Sequence, residues 1–501
     1  MIGYFSGNNN RIFDILIATR EWGWMLSKGE QRQDSQLNRS MKSRHLLMLS
    51  LGGVIGTGLF LNVGYTINQA GPGGALIGYL FGGLILYMVM NCLGELAVYM
   101  PVTGSFQTYA TRFISPSAGF SLGWMYFAGS AATAGVEFTA AGILMQHWFP
   151  NVPIWIWCAV FMMLLFTLNA LTTKGFAEAE FWFASIKVIA VIAFIVIGVA
   201  AIFGMIPLAD RPTPHFTNLA PSGLFPAGIT IIFVTMMNVI FSYQGSELVG
   251  IAAGETENPE KNIPRAIKTI LFRIIVFYIA SIIVLSAIFP SSELGLLESP
   301  FVTLMNLAGV PYAAGIMNFV ILTAILSVGN SCLYASTRLL WSMSKEGMAP
   351  KLFGRLTKNK VPLNALIFTM LFSLLSLLTS VMEADAVFVL LMSIAGISVT
   401  ISWMGICASQ LMFRYRYVKA GGDVAELKFK TPFYPLIPVF CIVFCMLILV
   451  FLAFDPTQRV GLLYGIGFFI ACMIFYKLKL SKTNTVSSEF EIKNEESLDI
   501  H

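Results

Sequence analysis

About a dozen long apolar runs follow one another along this chain of 501 residues, and that succession limits what it can fold into. A run of about 20 apolar residues wound as a helix crosses the hydrocarbon core of a bilayer. Inside lipid each peptide group must be bonded within the protein, which leaves helices and closed barrels as spanning structures. Barrel strands alternate in polarity from residue to residue, and these runs do not. Charged residues make up only 11% of the chain and hydrophobic residues 56%, with a mean hydropathy of +0.76. Soluble domains carry roughly 25% charged residues, so a water-facing globule of this composition has too little with which to cover its surface. The expected fold class is an all-α polytopic membrane protein of about 12 transmembrane helices.

The expected spans are 46–68, 74–99, 120–148, 153–171, 181–203, 227–253, 267–289, 312–343, 362–381, 386–413, 433–454 and 462–476. The net charge is +5, but the basic residues crowd into alternate loops and form no aromatic-laced stripe for nucleic acid. With Met1 inside the cell, Arg39, Lys42, Arg44, Arg112, Lys174, Lys261, Arg265, Lys345, Arg414 and Lys477 all fall on the inner side. The outer loops then hold little beyond Arg211 and Arg459. This asymmetry predicts that both termini are cytoplasmic. Residues 1–40 and 479–501 read as polar tails, with Met25 an alternative start, and no signal peptide is expected. The cysteines, Cys92, Cys158, Cys332, Cys407, Cys441, Cys445 and Cys472, lie inside apolar runs, so they read as packing residues. Neither a disulfide framework nor a metal site is expected.

Two spans carry an internal interruption. The first contains GGVIGTGLF (52–60) and the sixth FSYQGSELVGIAAGE (241–255). Glycine inside a span often serves only to let helices approach. Here the clusters lie five spans apart, and broken helices in corresponding positions of two halves mark a transporter core of inverted repeats. The expected organisation is a first repeat over 41–205, a second over 226–416, and two appended helices in 433–478.

An unwound stretch exposes amides and carbonyls that must find partners. Around Gly56, Thr57 and Gly58 the amides stand at a half-helix N-terminus, which favours a carboxylate. Carbonyls of the same break, Val54 among them, and of Phe241 to Gly245 suit an ammonium group, with Phe241, Ser242 and Tyr243 taken as the substrate-binding residues of that stretch. Anion donors beside cation acceptors match the head group of an α-amino acid. Charges buried mid-span cost about 2.5–3.5 kcal/mol each on the insertion scale. Glu137, Lys187 and Glu247 are the three that stand out. Lys187 is expected between the first and eighth spans, in the place of a coupling cation, losing and regaining a proton. Glu247, just past the second break, is expected to gate the pocket, and Glu137 to tune the side-chain end of the substrate site. Glu95 and Arg273 lie nearer span ends and read as snorkelling side chains.

Enzyme signatures are weak. GFSLG (119–123) spells the nucleophile-elbow pattern but opens a membrane span, far from the strand–turn–helix setting that motif needs. No HExxH or GxxxxGK[ST] occurs. The chain is not expected to be an enzyme or to need a cofactor.

At these residues the chain resembles a bacterial amino acid permease of the amino acid–polyamine–organocation (APC) superfamily, in its amino acid transporter branch. The resemblance rests on MKSRHLLMLSLGGVIGTGLF (41–60), INQAGPGGA (67–75), LGELAVYMPVTGSF (93–106) and EFWFASIKV (180–188). It continues in FSYQGSELVGIAAGETENPEKNIPRAI (241–267) and NSCLYASTRLLWSMSKEGMAPK (330–351). It implies a five-plus-five inverted repeat and proton-coupled import of an amino acid across the bacterial plasma membrane. It also implies a carboxylate site at Gly56–Thr57–Gly58 and roles for Tyr243, Glu247, Lys187 and Glu137. Tyr243 departs from the phenylalanine often found there. Arginine/ornithine, lysine and S-methylmethionine permeases are the most similar members, which leans the reading toward a cationic amino acid. A neutral amino acid permease, an exchanger and a transporter-like sensor stay open as alternatives. The expected partners are the amino acid, a coupling proton and the lipid bilayer, with no nucleic acid and no obligate protein partner evident.

Overall fold

The computed structural model describes residues 43–480 apart from 45, 47–52, 172–173, 210, 220–222, 224, 227, 229, 296–298 and 455–457. Both polar tails, and the sequence expectations that concern them, lie outside the described residues. Among the described residues there is helix and connecting loop only, and seven helices are long and apolar enough to cross a membrane. The fold is that of a polytopic helical membrane protein.

The chain opens with a single turn, α1 (Thr57–Phe60), and continues into α2 (Asn62–Tyr99). α2 bends at Gly71, whose φ of 72° only glycine adopts readily, and Pro72 follows with no amide to donate. That bend separates the expected first and second spans. A short amphipathic helix, α3 (Ser105–Phe113), leads to α4 (Pro116–Met145). Ser115 caps α4 by accepting the Ala118 amide at 3.1 Å, and Pro116 occupies the first helical position, where no amide is required. Then come α5 (Ile154–Leu171) and α6 (Lys174–Ile202).

The sixth expected span is two pieces, α7 (Ile231–Tyr243) and α8 (Leu248–Ile251), the latter running into a 3₁₀ turn, Ala252–Glu255. After it follow α9 (Pro259–Ile288), α10 (Pro300–Leu307) and α11 (Ala313–Lys345). The remaining helices are α12 (Leu363–Ser373), α13 (Ala384–Lys419), α14 (Leu436–Leu452) and α15 (Arg459–Phe475).

Helix α4 lies at the centre, almost wholly buried, against α11 and α13. Its run GSAATAG (129–135) presents small side chains, and without a hydrophobic drive between helices in lipid such residues allow close packing. α2 packs on α7 and α9, forming a second group of helices beside the first. α15 sits at the edge with most of its surface bare, as a lipid-facing helix requires.

Glu95 does not snorkel. It is 1% exposed, and its carboxylate takes Arg414 Nε at 2.7 Å, Arg414 Nη2 at 2.5 Å and Gln410 Nε2 at 3.0 Å. The Thr431 amide donates to it as well, at 2.6 Å. The pair joins α2 to α13 and to the loop before α14. Snorkelling requires a path to water, and here a guanidinium from another helix compensates the charge instead. The Arg273 side chain lies outside the described residues.

Candidate functional site

Both interruptions are present, and they meet. Before α1 the backbone of 53–56 is turn and bend, with Gly56 at φ −148° and ψ −139°. Between α7 and α8, Gly245 takes φ +98°, and a Cβ added there would stand 2.3 Å from the Gly53 carbonyl oxygen. A Cβ on Gly58 would come within 2.6 Å of Ser242 Cα. Backbone thus lies on backbone, and glycine is the residue that permits it.

The Leu59 and Phe60 amides bond the Gly56 carbonyl at 3.1 Å each, so the amides of α1 that lie outside its own bonding are those of Thr57 and Gly58, at the break. A carboxylate already faces it. Glu137, on α4 and 2% exposed, accepts the Thr57 hydroxyl at 2.8 Å on Oε1. Its Oε2 is buried without a hydrogen-bond partner among the described residues. Glu137 therefore stands beside the first turn of α1, at the break itself.

Lys187, on α6 and fully buried, donates to Ser327 Oγ of α11 at 3.0 Å, and its charge is close enough to act on Glu137. Glu247 is fully buried; Oε1 accepts the Tyr126 hydroxyl of α4 at 3.1 Å and Oε2 the Gly245 amide at 3.2 Å. It joins the break between α7 and α8 to the central helix. Deeper along the same segment, Glu255 Oε1 takes the Tyr334 hydroxyl at 2.8 Å and faces Arg338 Nε at 3.3 Å.

The carbonyls expected to meet an ammonium group are partly engaged. The Tyr278 hydroxyl lies 2.7 Å from the Ser242 carbonyl and 3.2 Å from that of Val54 and has one proton to give between them, Phe241 accepts the Gln244 amide at 3.1 Å, and Tyr243 accepts the Ser246 hydroxyl at 3.0 Å. A carbonyl has two lone pairs, so Val54, Phe241 and Ser242 each keep at least one. The Tyr243 side chain is set apart from these groups. Its ring packs edge-on against Tyr79 and Tyr278, and its hydroxyl donates to the Tyr79 carbonyl at 2.7 Å.

The sequence reading missed several residues. Thr133 donates to Gln244 Oε1 at 2.9 Å, and Asn62 Nδ2 bonds the Asn238 carbonyl at 2.7 Å and Ser242 Oγ at 2.8 Å. The available signal was the spacing of Tyr126, Ser130, Thr133 and Glu137, which puts four polar groups on one face of an apolar helix.

Two abutting helix breaks with Glu137, Glu247 and Lys187 buried among apolar helices suit a transporter, and the chain belongs to the amino acid permease family. The family model, described as amino acid permease, matches residues 45–488. Two similar proteins come from Bacillus subtilis (strain 168). Amino-acid permease RocE is 51% identical over 463 residues, 92% of this chain and 99% of the relative. Amino-acid permease RocC is 53% identical over 456 residues, 90% of this chain and 97% of the relative. The lysine-specific permease LysP of Escherichia coli (strain K12) is 43% identical over 432 residues, covering 85% and 88%. These relatives are transporters, and this chain is a multi-pass membrane permease for amino acids.

Proposed function

We propose that this permease imports α-amino acids with a basic side chain, by proton symport, across the bacterial plasma membrane. The observation that carries the reading is the meeting of the two breaks beside Glu137, Thr57 and Lys187. Amides of Gly56, Thr57 and Gly58 take the substrate carboxylate, and the remaining lone pairs of Val54, Phe241 and Ser242 take its ammonium group. Glu137, beside Thr57, balances that ammonium from the head-group side. Tyr243 supports the wall behind Ser242. The basic side chain is supported by the likeness to a relative named for lysine.

Lys187 carries the coupling proton: protonated, it is a cation that donates to Ser327 Oγ, and releasing the proton removes that charge from the neighbourhood of Glu137. Glu247 gates the inner side through Tyr126. The chain is organised as about 12 spans, with inverted repeats over 41–205 and 226–416, two further helices in 433–478, and tails at 1–40 and 479–501. Both termini face the cytoplasm, as the basic inner loops favour. Each elementary charge crossing 100 mV contributes about 2.3 kcal/mol, so a cationic amino acid entering with one proton gains about 4.6 kcal/mol.

Radiolabelled lysine uptake into proteoliposomes, with and without an imposed proton gradient, tests this. Accumulation only under the gradient is expected. Exchange without net accumulation would make the protein an antiporter, and binding without flux would make it a sensor.

A further inference from the structure

Gln244 interrupts the helical path directly after α7, with φ −57° and ψ 145°, and its side chain turns back against α4. It is 6% exposed. Its Oε1 lies 2.9 Å from Thr133 Oγ1, and that hydroxyl also lies 2.9 Å from the Gly129 carbonyl one turn earlier in α4. A hydroxyl has one proton and cannot donate to both. A half-turn of the carboxamide resolves the conflict. Nε2 then donates to Thr133 Oγ1, the Thr133 proton goes to Gly129, and Oε1 is turned away from α4. Among the described residues the Gln244 carboxamide has no other hydrogen-bond partner, so the outer end of this amide is an unclaimed, nearly buried polar group at the break.

We propose that Gln244 is a specificity-determining residue, whose amide oxygen accepts a hydrogen bond from the cationic end of the substrate side chain while Thr133 holds the amide in that orientation. The inference rests on the reading of the substrate as a basic amino acid. Ammonium and guanidinium groups donate only, and a buried donor needs an acceptor. Thr133 is one helical turn from Glu137 on the same face of α4, and Gln244 is three residues before Glu247. Gln244 therefore stands between the carboxylate at the head-group end and the carboxylate at the inner gate. An acceptor there gives a charged side chain a partner without adding a third carboxylate to Glu137 and Glu247.

The test is competition for uptake in proteoliposomes of the full-length protein, comparing lysine and arginine with norleucine, which has a similar chain length and no charged end. In Gln244→Leu the ratio of lysine KM to norleucine KM is expected to rise about tenfold, the discrimination typical of a hydrogen bond to a charged group. Gln244→Glu moves the ratio the opposite way, and Thr133→Val moves it in the direction of Gln244→Leu. Gln244→Met, close in volume, with its melting temperature measured in detergent, separates lost selectivity from lost folding. A lysine-to-norleucine ratio that stays constant across the folded variants overturns the assignment of Gln244 alone. A wild-type protein that takes up norleucine but no basic amino acid overturns the substrate reading, and this inference with it.

Discussion

Thr57 Oγ1 stands 2.8 Å from Glu137 Oε1, so the hydroxyl at the first broken helix is bonded to a carboxylate of the central helix. The contact ties the residue that opens α1 to one of the two buried acids, Glu137 and Glu247, that the sequence singled out. Glu137→Gln keeps the shape and the hydrogen bond and removes the charge. If Glu137 balances the substrate ammonium, KM rises about tenfold for every α-amino acid alike, because a hydrogen bond or ion pair to a charged group is at stake. Uptake competition curves check this, and a loss confined to basic substrates would place Glu137 at the side-chain end after all.

Lys187→Ala removes the group proposed to take the proton. Uphill accumulation is expected to disappear while counterflow exchange partly survives. Unchanged gradient-driven uptake in proteoliposomes would defeat the proposal.

Gly245→Ala meets two obstacles, the φ of +98° and the Gly53 carbonyl 2.3 Å from the added methyl. The backbone conformation alone costs about 1–2 kcal/mol, before the collision is counted. A lowered melting temperature in detergent together with lost transport is expected, and a variant of wild-type stability and activity would show that the breaks do not abut during function.

Breaking the Glu95–Arg414 pair by Glu95→Gln is expected to destabilise the fold by about 3–5 kcal/mol, since it leaves a guanidinium buried without its anion. The double variant Glu95→Leu with Arg414→Met should recover much of that loss. Thermal unfolding of the wild type and of these two variants, purified in detergent, reads the outcome.

The helices were legible because a bilayer imposes one requirement on each of them, an uninterrupted apolar run of sufficient length. The breaks were legible for the converse reason, as glycine clusters stand out where nothing else interrupts such a run. Tertiary pairings were not legible. Glu95 and Arg414 are 319 positions apart, and an acid near a span end looks the same whether it reaches water or a guanidinium. Gln244 was passed over because an uncharged amide in a glycine-rich stretch carries no sequence signal of its own. Its meaning comes from Thr133, 111 positions earlier on a different helix. Tyr243 sat in the right motif, but only packing against Tyr79 and Tyr278 reveals which way its hydroxyl is spent.

The piece of the first interrupted span that follows its break and the piece of the second that precedes its break are clasped side to side. Asn62 holds Asn238 and Ser242, the Ser242 hydroxyl reaches the Gly58 carbonyl at 3.1 Å, and Asn238 reaches Gln69 at 3.1 Å. Pieces fastened this closely hold one another in place, and the few unwound peptide units at 53–56 and 244–247 are what joins each to the rest of its span. A change that loosens Asn62 therefore reaches both interruptions at once, because one side chain fastens the two pieces together.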